Sequence, residues 1–150
     1  MQKTTVIAVG KLKERFWKDA CAEYVKRLSA YSPVTVREIP DSTPEREEGA
    51  ILAAVDKLPD GAHVILLDIQ GKQASSEQLA AKLESLAISG VSNVGFIIGG
   101  SDGVTPAVRA RANERLSFGP ITLPHNLARV VLLEQIYRAH KIIRHEPYHK

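Results

Sequence analysis

The sequence holds a single cysteine, Cys21, in 150 residues. One thiol excludes an intramolecular disulfide and any cysteine-based metal cluster, and it suits a reducing compartment. No apolar run approaches the length of a membrane span, and the short apolar stretch near the start (MQKTTVIAVGKLKE) is followed at once by charge, unlike a signal peptide. A soluble, cytoplasmic protein with no membrane partner is the expectation. Low-complexity segments, internal repeats and composition breaks that would mark a linker are also lacking. Residues 1–150 therefore read as one domain, long enough to bury roughly two-thirds of its unfolded surface around one core.

Strong charge of one sign is lacking too: the net charge is +3. Its distribution is uneven, because residues 101–150 hold eight Lys/Arg against four Asp/Glu while residues 1–100 hold twelve against thirteen. A positive excess confined to the last third points to a polyanionic partner.

What is present is a regular alternation. Thr4 to Val9 is a β-branched run ended by Gly10, followed by the basic loop Gly10-Lys11-Leu12-Lys13. A helix from about Glu14 to Tyr31 follows, with Phe16, Ala20, Tyr24 and Leu28 on one face. Val34 to Ile39 reads as a second strand. Thr43 as N-cap and Pro44 at the first helical position open a helix to about Leu58, with Glu45, Glu47 and Glu48 as its solvated first turn. His63 to Asp68 is a nearly continuous apolar strand ending in Ile69-Gln70-Gly71-Lys72. Ser75 or Ser76 caps the next helix, which Gly90 closes. Asn93 to Ile98 is another apolar strand, Thr105-Pro106 opens a helix to about Glu114, and Leu116 to Leu123 holds a short strand broken by Gly119-Pro120. Alternating strands and helices predict an α/β fold with a mainly parallel sheet and helices on both faces.

The last stretch, Thr122 to Lys150, joins a Leu-Pro-His turn to a long helix that is apolar over most of its surface. At about 100° per residue, Leu127, Ala128, Val131, Leu132, Ile136, Ala139, Ile142 and Ile143 share a wide arc, with Leu133, Val130 and Tyr137 on the other side. A helix this apolar is central to the core or shared with a second copy, and a dimer interface is the favoured reading. Of its charges, Arg129, His140 and Arg144 group together, as do Glu134, Arg138 and Lys141. They serve either as i, i+4 pairs or as arginines gripping phosphates.

The turn Gly99-Gly100-Ser101-Asp102-Gly103 lies between a strand and a helix. Its spacing is neither a dinucleotide fingerprint nor a P-loop. It is either a tight turn that needs positive φ or a ligand seat at the carboxyl end of a strand. Asp68 ends its strand at the same edge and either begins a turn or bonds a hydroxyl. His63 reads as structural. His125, His140, His145 and His149 lack metal-site spacing, because Pro147 breaks the helix between the last two, so no metal is expected.

Three blocks, read together, are specific: Phe96 to Gly103; Thr122-Leu123-Pro124-His125 with Arg129; and Glu134 to Ala139 with Pro147-Tyr148-His149. With Ala8-Val9-Gly10-Lys11 and Leu67 to Lys72, they span essentially the whole chain. In this order the sequence resembles the RlmH family of SPOUT methyltransferases, the ribosomal large-subunit pseudouridine N3-methyltransferases. Other members often carry Pro-Glu at Ser101-Asp102 and His-Pro at Glu146-Pro147.

The resemblance implies a C-terminal deep trefoil knot, which topology rules alone would reject. It also implies S-adenosylmethionine as cofactor, and a homodimer in which each active site borrows from the partner subunit. Cofactor contacts would come from Leu67, Gly99, Gly100 and the segment Phe118, Gly119, Pro120, Ile121, Thr122, Leu123. His125, Arg129, Arg138, Tyr148 and His149 would face 23S ribosomal RNA in the 70S ribosome or its large subunit. For methylation at N3, His149 is a candidate base by its ordinary pKa, Tyr148 would stack on or bond to the nucleobase, and Arg138 or Arg129 would steady the developing oxyanion. Two other readings remain open: a non-catalytic RNA-binding module with a basic C-terminal face, and a nucleotide-binding regulator using the glycine turn.

Overall fold

A computed structural model describes residues 1–148. Strands and helices alternate: β1 (Lys3–Val9), α1 (Arg15–Leu28), β2 (Val34–Ile39), α2 (Pro44–Asp56), β3 (His63–Gln73), α3 (Ser76–Ile88), β4 (Asn93–Ile98), α4 (Pro106–Arg111), β5 (Glu114–Ser117) and α5 (His125–Ile143). All strand pairs are parallel, in the order β2-β1-β4-β3-β5.

The two innermost strands explain the unbroken apolar runs. All six residues of β4 and all of β1 beyond Lys3 are buried, because helices cover both faces of the sheet. Connections that step toward the β2 edge, through α1 and α3, put their helices on one face. Those stepping toward the β5 edge, through α2 and α4, put theirs on the other, as one hand of crossover requires. α5 joins α1 and α3. On that face Val6, Ala8, Phe96 and Ile98 pack with Leu28, Leu83, Leu132 and Ile136, while on the other Ile7, Val9 and Ile97 pack with Ile51, Val55 and Val108. Each of these side chains larger than alanine contributes about 1.5–3 kcal/mol by leaving water.

Local chemistry sets the helix starts. Thr43 accepts from the Arg46 N–H at 3.3 Å, Ser75 forms a capping box with Gln78, and Thr105 accepts from the Val108 N–H at 3.4 Å.

Several expectations need correction. Phe16 is 63 % exposed, and the buried residues of α1 are Cys21 and Leu28. Leu133, placed outside the apolar arc by a strict helical wheel, is fully buried with Leu132 and Ile136, since α5 is wedged between α1 and α3 and covered on a broader front. Glu47 is no solvated first-turn residue: it is 2 % exposed and accepts from the Ser42 N–H at 2.7 Å. Glu48 likewise accepts from the Thr105 hydroxyl at 2.6 Å, tying α2 to α4. α4 stops at Arg111, and β5 takes the space expected of its last turn.

Candidate functional site: a cavity at the carboxyl edge of the sheet

The site begins with an irregularity in β3. The strand does not end at Asp68 but runs on to Gln73, with a register shift in which both Leu67 and Lys72 face Leu116 of β5. Residues 68–71 are thereby pushed out of the ladder as a bulge. Gly71 makes this possible, because a Cβ there would lie 2.8 Å from the Arg115 carbonyl carbon. Within the bulge Asp68 accepts from the Gln70 N–H at 3.0 Å and faces Arg115 at 3.3 Å and Arg109 at 3.6 Å. Asp68 therefore neither ends the strand nor begins a turn after it: it bonds the backbone two residues on within the bulge and pairs with two arginines.

Ser117 then fastens the next wall. Its Oγ lies 2.8 Å from the Ile69 carbonyl and accepts from the Gly119 N–H at 3.0 Å, holding the segment after β5 against the bulge. Ser117 is 2 % exposed, and sequence reasoning missed it because nothing local marks a serine as a clamp.

Bulge, clamp and glycine turn enclose a cavity of about 750 Å³ at the carboxyl ends of β3, β4 and β5. Of the residues expected to hold a cofactor, Leu67, Gly99, Gly100, Phe118, Gly119, Ile121, Thr122 and Leu123 line it, whereas Pro120 does not. Asp68, Ile69, Gln70, Ser101, Arg109, Pro124 and His125 add to its wall. In the glycine turn, only Gly103 has positive φ, at 82°. Gly99 and Gly100 are there for space: a Cβ on Gly99 would meet Val104 Cγ1 at 2.8 Å, and one on Gly100 would meet Val9 Cγ1 at 3.2 Å.

Beside it, at the carboxyl ends of β1 and β2, lies a second cavity of about 510 Å³ lined by Gly10, Lys11, Lys13, Glu14, Glu38, Ile39, Pro40, Asp41, His125 and Asn126. His125, half-buried at the start of α5, is common to both cavities. It packs on Gly10, where a Cβ would come within 2.8 Å of its Nε2 and where φ is 97°. Arg129, expected to face RNA, points inward instead. It is 3 % exposed, donates to Glu38 Oε2 at 2.8 Å and to the Gly10 carbonyl at 3.0 Å, and so braces the floor of the second cavity.

The remaining candidates gather elsewhere. Arg138 donates to Glu134 Oε2 at 2.6 Å, the Tyr148 hydroxyl donates to the same oxygen at 3.0 Å, and the Arg138 guanidinium lies 4.5 Å from the Tyr148 ring centre. Burial, then bonding to Tyr24 and Glu134, holds the Tyr148 hydroxyl well above the ordinary phenol pKa, so it stays protonated and is a donor rather than a base. Tyr24, Tyr31 and Tyr148 surround Tyr137 with ring centres 5.0 to 6.3 Å away. His149 lies outside the described residues. At 1.5 Å per residue, Arg138 is about 20 Å along α5 from His125. Neither Arg138 nor Tyr148 lines the cavity of its own chain.

The basic last third also changes character. Arg109, Arg111, Arg115, Arg129, Arg138 and Lys141 each have a carboxylate within 4.0 Å. Among the described residues no group of three or more His, Cys, Asp or Glu is placed to hold a metal ion, and no helix is long and apolar enough to cross a membrane.

A parallel, doubly covered sheet with a cavity of about 750 Å³ beyond the strand ends defines an α/β protein of the class whose ligand sites lie at the carboxyl edge. More narrowly, the chain belongs to the SPOUT methyltransferase family: the model described as "Predicted SPOUT methyltransferase" matches residues 2–149. It is 53 % identical to "Ribosomal RNA large subunit methyltransferase H" of Listeria monocytogenes serotype 4b (strain CLIP80459), over 97 % of this chain and 98 % of that protein. It is 51 % identical to the protein of the same name from Bacillus thuringiensis (strain Al Hakam), with the same coverage. Among solved structures, a probable methylase family protein from Haemophilus influenzae Rd KW20 shares the fold at a TM-score of 0.59 and 13 % identity, covering 99 % of this chain and 71 % of that one. The resemblance read in the sequence is borne out.

Proposed function

We propose that this protein is an S-adenosylmethionine-dependent methyltransferase acting on N3 of a pseudouridine in 23S ribosomal RNA of the assembled ribosome, in the cytoplasm. The observation that carries the reading is the 750 Å³ cavity built from the β3 bulge, the glycine turn and the segment after Ser117. It is of the size that encloses a nucleoside-type ligand. Its walls combine apolar side chains (Leu67, Ile98, Leu116, Phe118, Ile121) with the backbone of Gly99, Gly100 and Gly119, which suits an adenosine held by main-chain groups. Relatives at 51–53 % identity bear the name of a ribosomal RNA methyltransferase, which supports the substrate class.

When bound there, S-adenosylmethionine supplies an electrophilic methyl group. The protein's own residues then have three tasks: holding the nucleotide in line, removing the N3 proton, and balancing charge on the pyrimidine oxygens. His149 takes the proton in this reading, Tyr148 contacts the base as a donor, and Arg138, set by Glu134, faces the oxygens. Arg129 acts indirectly, by fixing Gly10 and through it His125.

The 20 Å between His125 and Arg138 supports a homodimer in which the tail of one subunit completes the cavity of the other. α5 supports it as well, since Leu127, Val130 and Val131 leave apolar surface only half covered. In the same reading the segment from Phe118 to Leu123, with α5, forms the trefoil knot.

The test is transfer of labelled methyl from S-adenosylmethionine to large ribosomal subunits, with the modified base identified by mass spectrometry. Label on N3 of a pseudouridine is the expected result, and label on protein, on another base, or nowhere refutes the assignment. Mixing a cavity-defective variant with Arg138→Ala should restore activity in mixed dimers; absence of any recovery argues against shared sites.

A further inference from the structure

In the last third, Arg144 is the cation among the described residues without a carboxylate within 4.0 Å, whereas four such cations lie close together in sequence before and within the start of α1. Lys11, Lys13, Arg15 and Lys18 are all exposed, and among the described residues none has a carboxylate within 4.0 Å. They crowd the start of α1, where Glu14 at the N-cap is a single carboxylate among four cations, makes no side-chain cap hydrogen bond and lies within 4.0 Å of none of them, and where the first turn holds no acidic residue. Positive charge at the positive pole of a helix is locally unfavourable, so stability does not explain this placement. Lys11 and Lys13 also line the second cavity.

That cavity abuts the cofactor cavity at two points. His125 lines both, and Asp41 Oδ1 lies 3.5 Å from where a Cβ on Gly100 would sit. Its floor is built rather than incidental: Arg129, 3 % exposed, ties Gly10 to Glu38, and its Nε–H has no acceptor among the described residues. Inside, the carboxylates of Glu14, Glu38 and Asp41 disfavour a phosphate, while carboxylate oxygens are acceptors that suit the ring N–H groups of a pyrimidine. The lysines stand on the rim, where a nucleic-acid backbone would pass.

Resting on the methyltransferase reading above, we propose that this second cavity is the seat of the target nucleotide. Lys11, Lys13, Arg15 and Lys18 form the lip that holds the flanking RNA backbone. The nucleotide enters beside His125, the side chain common to both cavities, with its base edge toward the cofactor cavity. A second copy of the chain is the competing occupant of the lip, but four unpaired cations fit a polyanion better than a copy of themselves.

The experiment compares wild type, Lys11→Gln/Lys13→Gln, and the charge-matched control Lys3→Gln/Lys57→Gln, using exposed residues away from both cavities. The lip variant should raise KM for large ribosomal subunits about tenfold, and lower the salt dependence of binding by about 1.5 in log–log slope. Cofactor affinity, kcat and sedimentation should stay within twofold of wild type, with the control unchanged throughout. A KM equal to the control's, or a changed oligomeric state, overturns the proposal. A photoreactive thiouridine at the target position should crosslink to residues 10–14 or 38–41, and crosslinks confined to other peptides also overturn it. If the wild type methylates no ribosomal RNA, the function assigned above fails separately. The lip is then judged by equilibrium RNA binding, where a tenfold loss in the variant sustains it and equal binding overturns it.

Discussion

His140 sits in the last turns of α5, 8 % exposed, and its Nε2 has no hydrogen-bond partner among the described residues. Burial, helped by the nearby Arg144 charge, lowers its pKa from 6.5 to about 4. The folded protein therefore keeps the ring neutral at pH values where the unfolded chain protonates it. Stability is complete above about pH 6.5 and is lost as pH falls toward about 4, the range in which the unfolded state binds the extra proton. At about 1.4 kcal/mol per pKa unit, the gap corresponds to about 3 kcal/mol in full and about 2 kcal/mol by pH 5. His140→Leu removes the titrating group while keeping an apolar side chain in the space. Urea unfolding at about pH 7.5 and about pH 5, at one fixed protein concentration, measures the difference. Wild type should lose about 2 kcal/mol more than the variant between the two conditions. Equal losses in both proteins would refute the assignment of a buried neutral histidine.

Other outcomes follow from the site. Gly10→Ala puts a side chain at φ 97° and against His125 Nε2, so it should cost about 2 kcal/mol in unfolding experiments and weaken S-adenosylmethionine binding in calorimetry. Ser117→Ala removes the clamp between Ile69 and Gly119; about 1 kcal/mol of stability and a severalfold loss of cofactor affinity are expected from the same two measurements. Glu134→Gln frees Arg138 and Tyr148 and should cut methyl transfer at least tenfold at unchanged cofactor affinity. Its effect on stability should stay within about 1 kcal/mol, because the pair is partly exposed.

The sequence alone determined whatever depends on neighbours along the chain. Apolar runs without polar alternation marked β1, β3 and β4 as strands of the sheet interior, and Thr43, Ser75 and Thr105 marked where α2, α3 and α4 begin, because a cap bonds to an N–H three residues away. The ordered blocks around Gly99, His125 and Tyr148 located the family, and eight of the nine expected cofactor residues do surround one cavity. Tertiary structure decided what depends on groups far apart in the chain. β3 continues past Asp68 because β5 lies close enough to pair with Lys72 and Gln73, and the resulting bulge makes the cavity wall. Glu47 and Arg129 turn inward because a Ser42 amide, a Gly10 carbonyl and a Glu38 carboxylate wait there, and a buried charge is tolerated only where such partners converge. The charge pattern shows the limit most clearly. Counting residues placed the basic excess in the last third, yet folding supplies most of those cations with carboxylates and leaves a group of four unpaired ones at the start of α1. A charge count is additive along the chain, whereas the field a partner meets depends on which charges the fold has already paired.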